Sequence, residues 1–283
     1  MRRLPSLGEF ILLAGIAALC LPTMFNVARF SWSTEQGGHG PLVLATGIWL
    51  VWRERKAQRP PRTSPRPQWA AVGIAAMLLV FIVARITGIL EIEAFAMYFA
   101  LLLGAYLLWG GATLRALWFP LLYLGLTLPP PDSVVAAVTQ PIKIAISQAA
   151  VSLLHMLGYP IANSGVTIQI AQYQLLVAAA CAGLNSIISL SAICLLYAYL
   201  RHRSNAWYIF ILALAVIPVA AFSNFVRVLV LVLVTYYMGE AAAQGFLHDF
   251  AGLLMFAVAL ATIFALDEVL HPLLLRHAPA LVR

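Results

Sequence analysis

Apolar runs long enough to bridge a bilayer recur along this chain, near residues 8–28, 40–53, 69–90, 94–112, 115–129, 181–200, 206–227 and 249–272. A helix crossing the ~30 Å hydrocarbon core needs roughly 20 predominantly apolar residues, because each adds only about 1.5 Å of rise. Eight crossings follow, the second and fifth short enough to be tilted or re-entrant. Inside lipid, backbone donors and acceptors must be satisfied within their own segment, so runs of this length read as helices. Composition agrees. With 63% hydrophobic and 10% charged residues over 283 positions, there is too little polar surface to cover a water-soluble globule.

The net charge of +7 sits in short basic blocks between the apolar runs, a pattern that orients helices in a membrane and gives no support to nucleic-acid binding. Arg53, Arg55, Lys56, Arg59, Arg62 and Arg66 crowd the loop after the second run, and Arg201 and Arg203 follow the sixth. Both loops are therefore expected in the cytoplasm. With eight crossings, Arg2, Arg3, Arg115, Arg276 and Arg283 fall on the same side. Arg29, Arg85, Lys143 and Arg227 then lie toward the opposite face. The expectation is a multi-pass protein of the cytoplasmic (inner) membrane with both termini inside. Met1-Arg2-Arg3 and the apolar residues after it resemble a signal peptide, but no small-residue cleavage pattern follows, so the segment reads as a retained first helix. The stretch 59-RPPRTSPRPQ-68 reads as an extended linker.

One region breaks the pattern. After 129-PPPD-132, residues 133–157 place Gln140, Lys143, Gln148 and His155 among apolar positions, which predicts an amphipathic helix lying at the interface. Residues 158–178 then combine turn formers with partial alternation, Val166, Ile168 and Ile170 against Thr167, Gln169 and Ala171. That alternation predicts a short strand or hairpin. The fold expected is thus all-α and polytopic, with about eight transmembrane helices, an interfacial helix and a small extracytoplasmic β-like cap at 133–178, in one domain covering 1–283.

Depth singles out candidate residues. A sixth helix running from Cys181 to Arg201 spans about 30 Å and puts Cys181 at the outer surface. A seventh beginning near Trp207 brings Arg227 to the same depth, and His248 opens the eighth on that side. Each also has a plain structural explanation. A cysteine in an Ala-rich run, as Cys181 is, is usually a small hydrophobe packing between helices, Cys20 reads as a buried filler, and Cys194 as a thiol in a helix interior. Arg227, embedded in 222-FSNFVRVLVLVLV-234, costs about 3 kcal/mol to insert and needs either a task or an interfacial anchor. His248 reads as a helix-end residue, and Asp249 as its N-cap.

Taken together, 180-ACAGLNS-186, 224-NFVR-227 and 248-HDFAG-252 resemble the Cys, Arg and His motifs of the exosortase/archaeosortase family, membrane enzymes that process proteins bearing C-terminal sorting signals. The segments 32-WSTEQGGHGPLVLATGIWLVWR-53 and 129–170 are similar to that family's early His-Gly motif, Pro-rich turn, interfacial helix and cap. Ala182 and Asn185 stand where many members carry Ser and a basic residue. The resemblance implies a cysteine transpeptidase or peptidase acting at the periplasmic or outer face. Cys181 would attack a peptide carbonyl, His248 would shuttle the proton, and Arg227 would stabilise charge. Asn224, one turn before Arg227, would be a supporting residue, and His39 a loop residue or substrate contact. The implied partner is an exported protein ending in a short motif, an apolar helix and a basic tail, as in PEP-CTERM proteins. No cofactor and no resident metal are called for.

Three other readings use the same residues. A serine protease would employ Ser186 with His248, but Ser186 lies more than a turn from Cys181 and no elbow motif surrounds it. A metal site would draw on Cys181, His248, Asp249 and His39. The runner-up is a non-catalytic transporter or scaffold for exopolysaccharide export, with Arg227 and His248 as its ion or substrate site.

Overall fold

The computed structural model describes residues 7–34, 37–57, 65–165, 167–176, 187–202, 206–244 and 246–277. The chain divides into two compact units, 1–131 and 132–283.

In the first unit, α1 (Leu7–Phe30), α2 (Gly40–Ala57), α3 (Pro67–Thr87) and α4 (Leu90–Trp109) are followed by two short helices, α5 (Gly111–Ala116) and α6 (Trp118–Gly125). Helices α3 and α4 form a hairpin. Gly88 closes α3 at φ 73°, a left-handed conformation that glycine adopts without steric cost, and its N–H bonds the carbonyl of Ala84. The hairpin packs on α1 through Phe81, Ala96 and Met97 against Leu19, Cys20 and Met24, so the Cys20 thiol is half-buried packing material. Three helices share one polar node. Glu93 on α4 accepts from Thr23 of α1 at 2.7 Å and from Arg85 of α3 at 3.0 Å, which satisfies a carboxylate only 4% exposed.

The span expected at 115–129 is two helices with a break at Leu117. Pro120 explains the break: it lacks an N–H, and its ring would collide with the carbonyl four residues back, at Ala116, where α5 ends. α6 runs antiparallel to α2, with the Tyr123 hydroxyl 3.2 Å from that of Thr46 and the Leu126 carbonyl 3.3 Å from Nε2 of His39.

The second unit opens with α7 (Asp132–Met156), which leads into a three-stranded antiparallel sheet, β1 (Ile161–Ser164), β2 (Thr167–Ile170) and β3 (Tyr173–Leu176), in the order β1-β2-β3. Then come α8 (Ile187–Arg201), α9 (Ala206–Met238), α10 (Glu240–Gln244) and α11 (Phe246–His277). The alternation behaves as expected in β2: Ile168 and Ile170 are buried and Gln169 is exposed. Both isoleucines join Ile161, Ile146, Ala150 and Leu154 in a core closed by Val228 and Val232 of α9.

α9 exceeds its expected end by eleven residues. Its 33 residues run about 50 Å, well beyond the ~30 Å of a hydrocarbon core. The extension is covered by α7 and the sheet, so its valines and leucines meet protein, and a hydropathy pattern alone cannot separate that from lipid. Gly239 ends it at φ 85°, its N–H bonded to the Thr235 carbonyl.

Four described helices, α3, α4, α7 and α9, are long and apolar enough to cross a membrane, and the apolar stretches 14–30 and 189–201 are shorter. By length and composition α7 belongs with the crossing helices, although the sequence pattern predicts it at the interface.

Candidate active site

The second unit is fastened at one end by Asp267. The side chain is 1% exposed and deep in the α11 sequence, where an isolated carboxylate would be strongly disfavoured. Donors from α8, from the residue just past it and from α9 surround it. The Tyr208 hydroxyl on α9 donates to Oδ1 at 2.7 Å, and that of Tyr197 on α8 to Oδ2 at 2.7 Å. Nε2 of His202, just past α8, lies 2.8 Å from Oδ1, and Nε of Arg201 lies 3.2 Å from Oδ2. Four donors thus satisfy one buried acid. Arg201 also reaches Glu268 at 2.9 Å, and the His271 ring packs 4.8 Å from that of His202. The sequence carried a signal for this node, since an acid inside an apolar run requires a partner.

The Tyr208–Asp267 bond also sets a register. It joins the start of α9 to the far part of α11, so these neighbouring helices run antiparallel. Nineteen residues beyond Tyr208 stands Arg227, and nineteen residues before Asp267 stands the backbone of His248, in the first turn of α11. At 1.5 Å per residue both lie about 28 Å from the bond along their helices.

Arg227 belongs to the buried stripe of α9. Val216, Val219, Ala220, Ser223, Asn224, Arg227, Val228, Leu231, Val232 and Thr235 recur at helical spacing and are all buried. Arg227 is 4% exposed and Asn224 fully buried. The two share one face, as the three-residue spacing requires. Because α9 continues about 16 Å past Arg227, the guanidinium is not at a helix end.

Asp249 is the fourth residue of α11, which begins at Phe246, so the expectation that Asp249 is its N-cap is corrected. Flanking α9, α8 begins at Ile187 in the structure. Cys181 and Ser186 lie outside the described residues, as do the side chains of His248 and Asp249. Cys194 is buried in the interior of α8. His39 is in the first unit, half-buried, its Nε2 donating to the Leu126 carbonyl. This contact ties the loop before α2 to the end of α6.

A family model described as transmembrane exosortase (Exosortase_EpsH) matches residues 32–265, most of the chain and parts of both units. The chain belongs to the transmembrane exosortase family. It is a multi-pass membrane protein, consistent with the helices just described. No curated protein and no solved structure matches it.

Proposed function

We propose that this chain is a membrane-embedded cysteine transpeptidase or peptidase that cleaves C-terminal sorting signals of exported proteins at the outer face of the cytoplasmic membrane. The observation that carries the reading is the shared height of Arg227 and His248 above the Tyr208–Asp267 bond, with Arg227 buried inside the helix group. Family membership supports the reaction class.

In this reading the Cys181 thiolate attacks the scissile carbonyl carbon, and His248 donates a proton to the departing amine as the C–N bond breaks. A thioester remains. Water or an acceptor amine then attacks that thioester, with His248 taking up its proton, and Cys181 is released. Arg227, whose planar fork keeps its charge at any working pH, holds the tetrahedral oxyanion or a substrate carboxylate. Asn224, on the same face, orients Arg227 or the substrate. His39 is a substrate contact or a fastening of its loop. The substrate is an exported protein whose short motif, apolar helix and basic tail insert beside the enzyme in the bilayer. Eight crossings, with α5 and α6 together making the fifth and α7 at the interface, put the site outside and the 53–68 segment in the cytoplasm.

The test is processing of a reporter bearing such a tail in cells expressing Cys181→Ala, Arg227→Ala or His248→Ala, each checked for membrane insertion. Loss of processing in all three supports the reading. Normal processing in the Cys181 variant removes it and leaves the scaffold reading.

A further inference from the structure

The C-terminal half of α2 has two faces with different chemistry. Val43, Gly47, Leu50 and Glu54 are buried in the first unit. Ile48, Val51, Trp52 and Arg55, at i, i+3, i+4 and i+7, form another face and line a cavity of about 500 Å³ with Lys56 and with Leu124 of α6. The cavity is graded. Its walls are aliphatic at Leu124, Ile48 and Val51, aromatic at Trp52, and cationic at Arg55 and Lys56.

The cations are held by rings. The Arg55 guanidinium lies 4.2 Å from the centroid of Trp109 on α4, Lys56 Nζ 3.8 Å from that of Trp52, and Arg53 5.1 Å from that of Trp49. Such contacts orient a cation without neutralising it, and its N–H donors stay available. Among the described residues no carboxylate forms an ion pair with Arg53, Arg55 or Lys56. Glu54, between them in sequence, is fully buried.

We propose that this slot binds an anionic phospholipid, with an acyl chain along Ile48, Val51 and Leu124 and the phosphate between Arg55 and Lys56. The volume suits a ligand-sized occupant. The charge selects among lipids, because a zwitterionic headgroup brings a cation of its own toward two existing ones. It also argues against a sorting-signal helix as the occupant, since a basic tail would meet Arg55 and Lys56 as like charges. Orientation in the membrane requires only that the basic residues exist near this end of α2. Their placement on one face, at the end of an apolar slot and on tryptophan rings, is the separate observation that points to a headgroup.

The experiment is native mass spectrometry of the full-length protein in neutral detergent, titrated with equal amounts of phosphatidylglycerol and phosphatidylcholine. The wild type is expected to retain phosphatidylglycerol preferentially. Arg55→Gln with Lys56→Gln should lower that affinity about 25-fold, about five-fold for each cation removed. Leu124→Trp, which fills the slot and leaves the charge, should lower it comparably. Arg29→Gln with Lys143→Gln, an equal loss of charge elsewhere, should change it less than about two-fold. Equal retention of the two lipids by the wild type would overturn the proposal, as would equal losses in the two double variants. So would displacement of the lipid by inorganic phosphate together with an unaffected Leu124→Trp protein, because the site would then be one for a free anion.

Discussion

The hydroxyl of Tyr208 donates to Oδ1 of Asp267 at 2.7 Å, and from that bond Arg227 and the backbone of His248 are equally far along two antiparallel helices. The bond therefore fixes the relative height of the residues proposed to do the chemistry. Tyr208→Phe removes one charge-assisted bond and should destabilise the protein by about 1.5–3 kcal/mol. Asp267→Ala leaves Tyr197, Tyr208 and His202 without their carboxylate acceptor and Arg201 with Glu268 alone, and should cost about 3–5 kcal/mol. Thermal unfolding in detergent reads both. An Asp267→Ala protein as stable as the wild type would contradict the assignment of Asp267 as the fastening of this unit.

Arg227 is 4% exposed, so it meets protein rather than lipid headgroups. If it stabilises an oxyanion, Arg227→Lys keeps the charge and loses the planar multi-donor geometry, and single-turnover cleavage should fall about 100-fold or more while crosslinking to a bound sorting signal persists. Wild-type cleavage by Arg227→Lys would take Arg227 out of the chemistry.

The sheet is coupled to α9 through a shared core. Ile170→Ala opens a cavity beside Val228 and Val232 and should cost about 2–5 kcal/mol, whereas Gln169→Ala on the exposed face should stay within ~0.5 kcal/mol. Limited proteolysis at the β1–β2 turn beside Gly165 should speed up in the first variant alone.

Strand β2 was legible because alternation records burial on one face directly: Ile168 and Ile170 in, Gln169 out. The helix bounds at α1, α2 and α3 were legible to within a few residues for the same kind of reason, a composition that changes sharply at their ends. The break at Leu117 is signalled only by Pro120, since hydropathy continues unchanged across it. The end of α9 is not legible in the sequence because Val228 and Val232 look alike in hydropathy whether lipid or a sheet covers them. The Asp267 node depends on five side chains from separated segments, and only the acid itself stands out in the sequence. Of the proposed site, helical spacing correctly anticipated the common face of Asn224 and Arg227.

Sidedness has its own test, sharpened by the length of α7. Reporter fusions after Pro65 and after Ser164 should report opposite sides of the membrane if α5 and α6 together cross and α7 lies at the interface. Same-side reporters would mean that the crossings between them are even in number, and would move the sheet to the side of the basic loop.

The central claim is that Cys181 forms a covalent intermediate. It is tested most directly by mass spectrometry of the enzyme incubated with a reporter carrying the apolar helix and basic tail, before and after hydroxylamine. The account predicts a hydroxylamine-sensitive adduct on the Cys181 peptide, absent in Cys181→Ala and present in Cys194→Ala, whose thiol is buried in the interior of α8. Processing of the reporter without any adduct in the wild type, or processing that persists in Cys181→Ala, would contradict it.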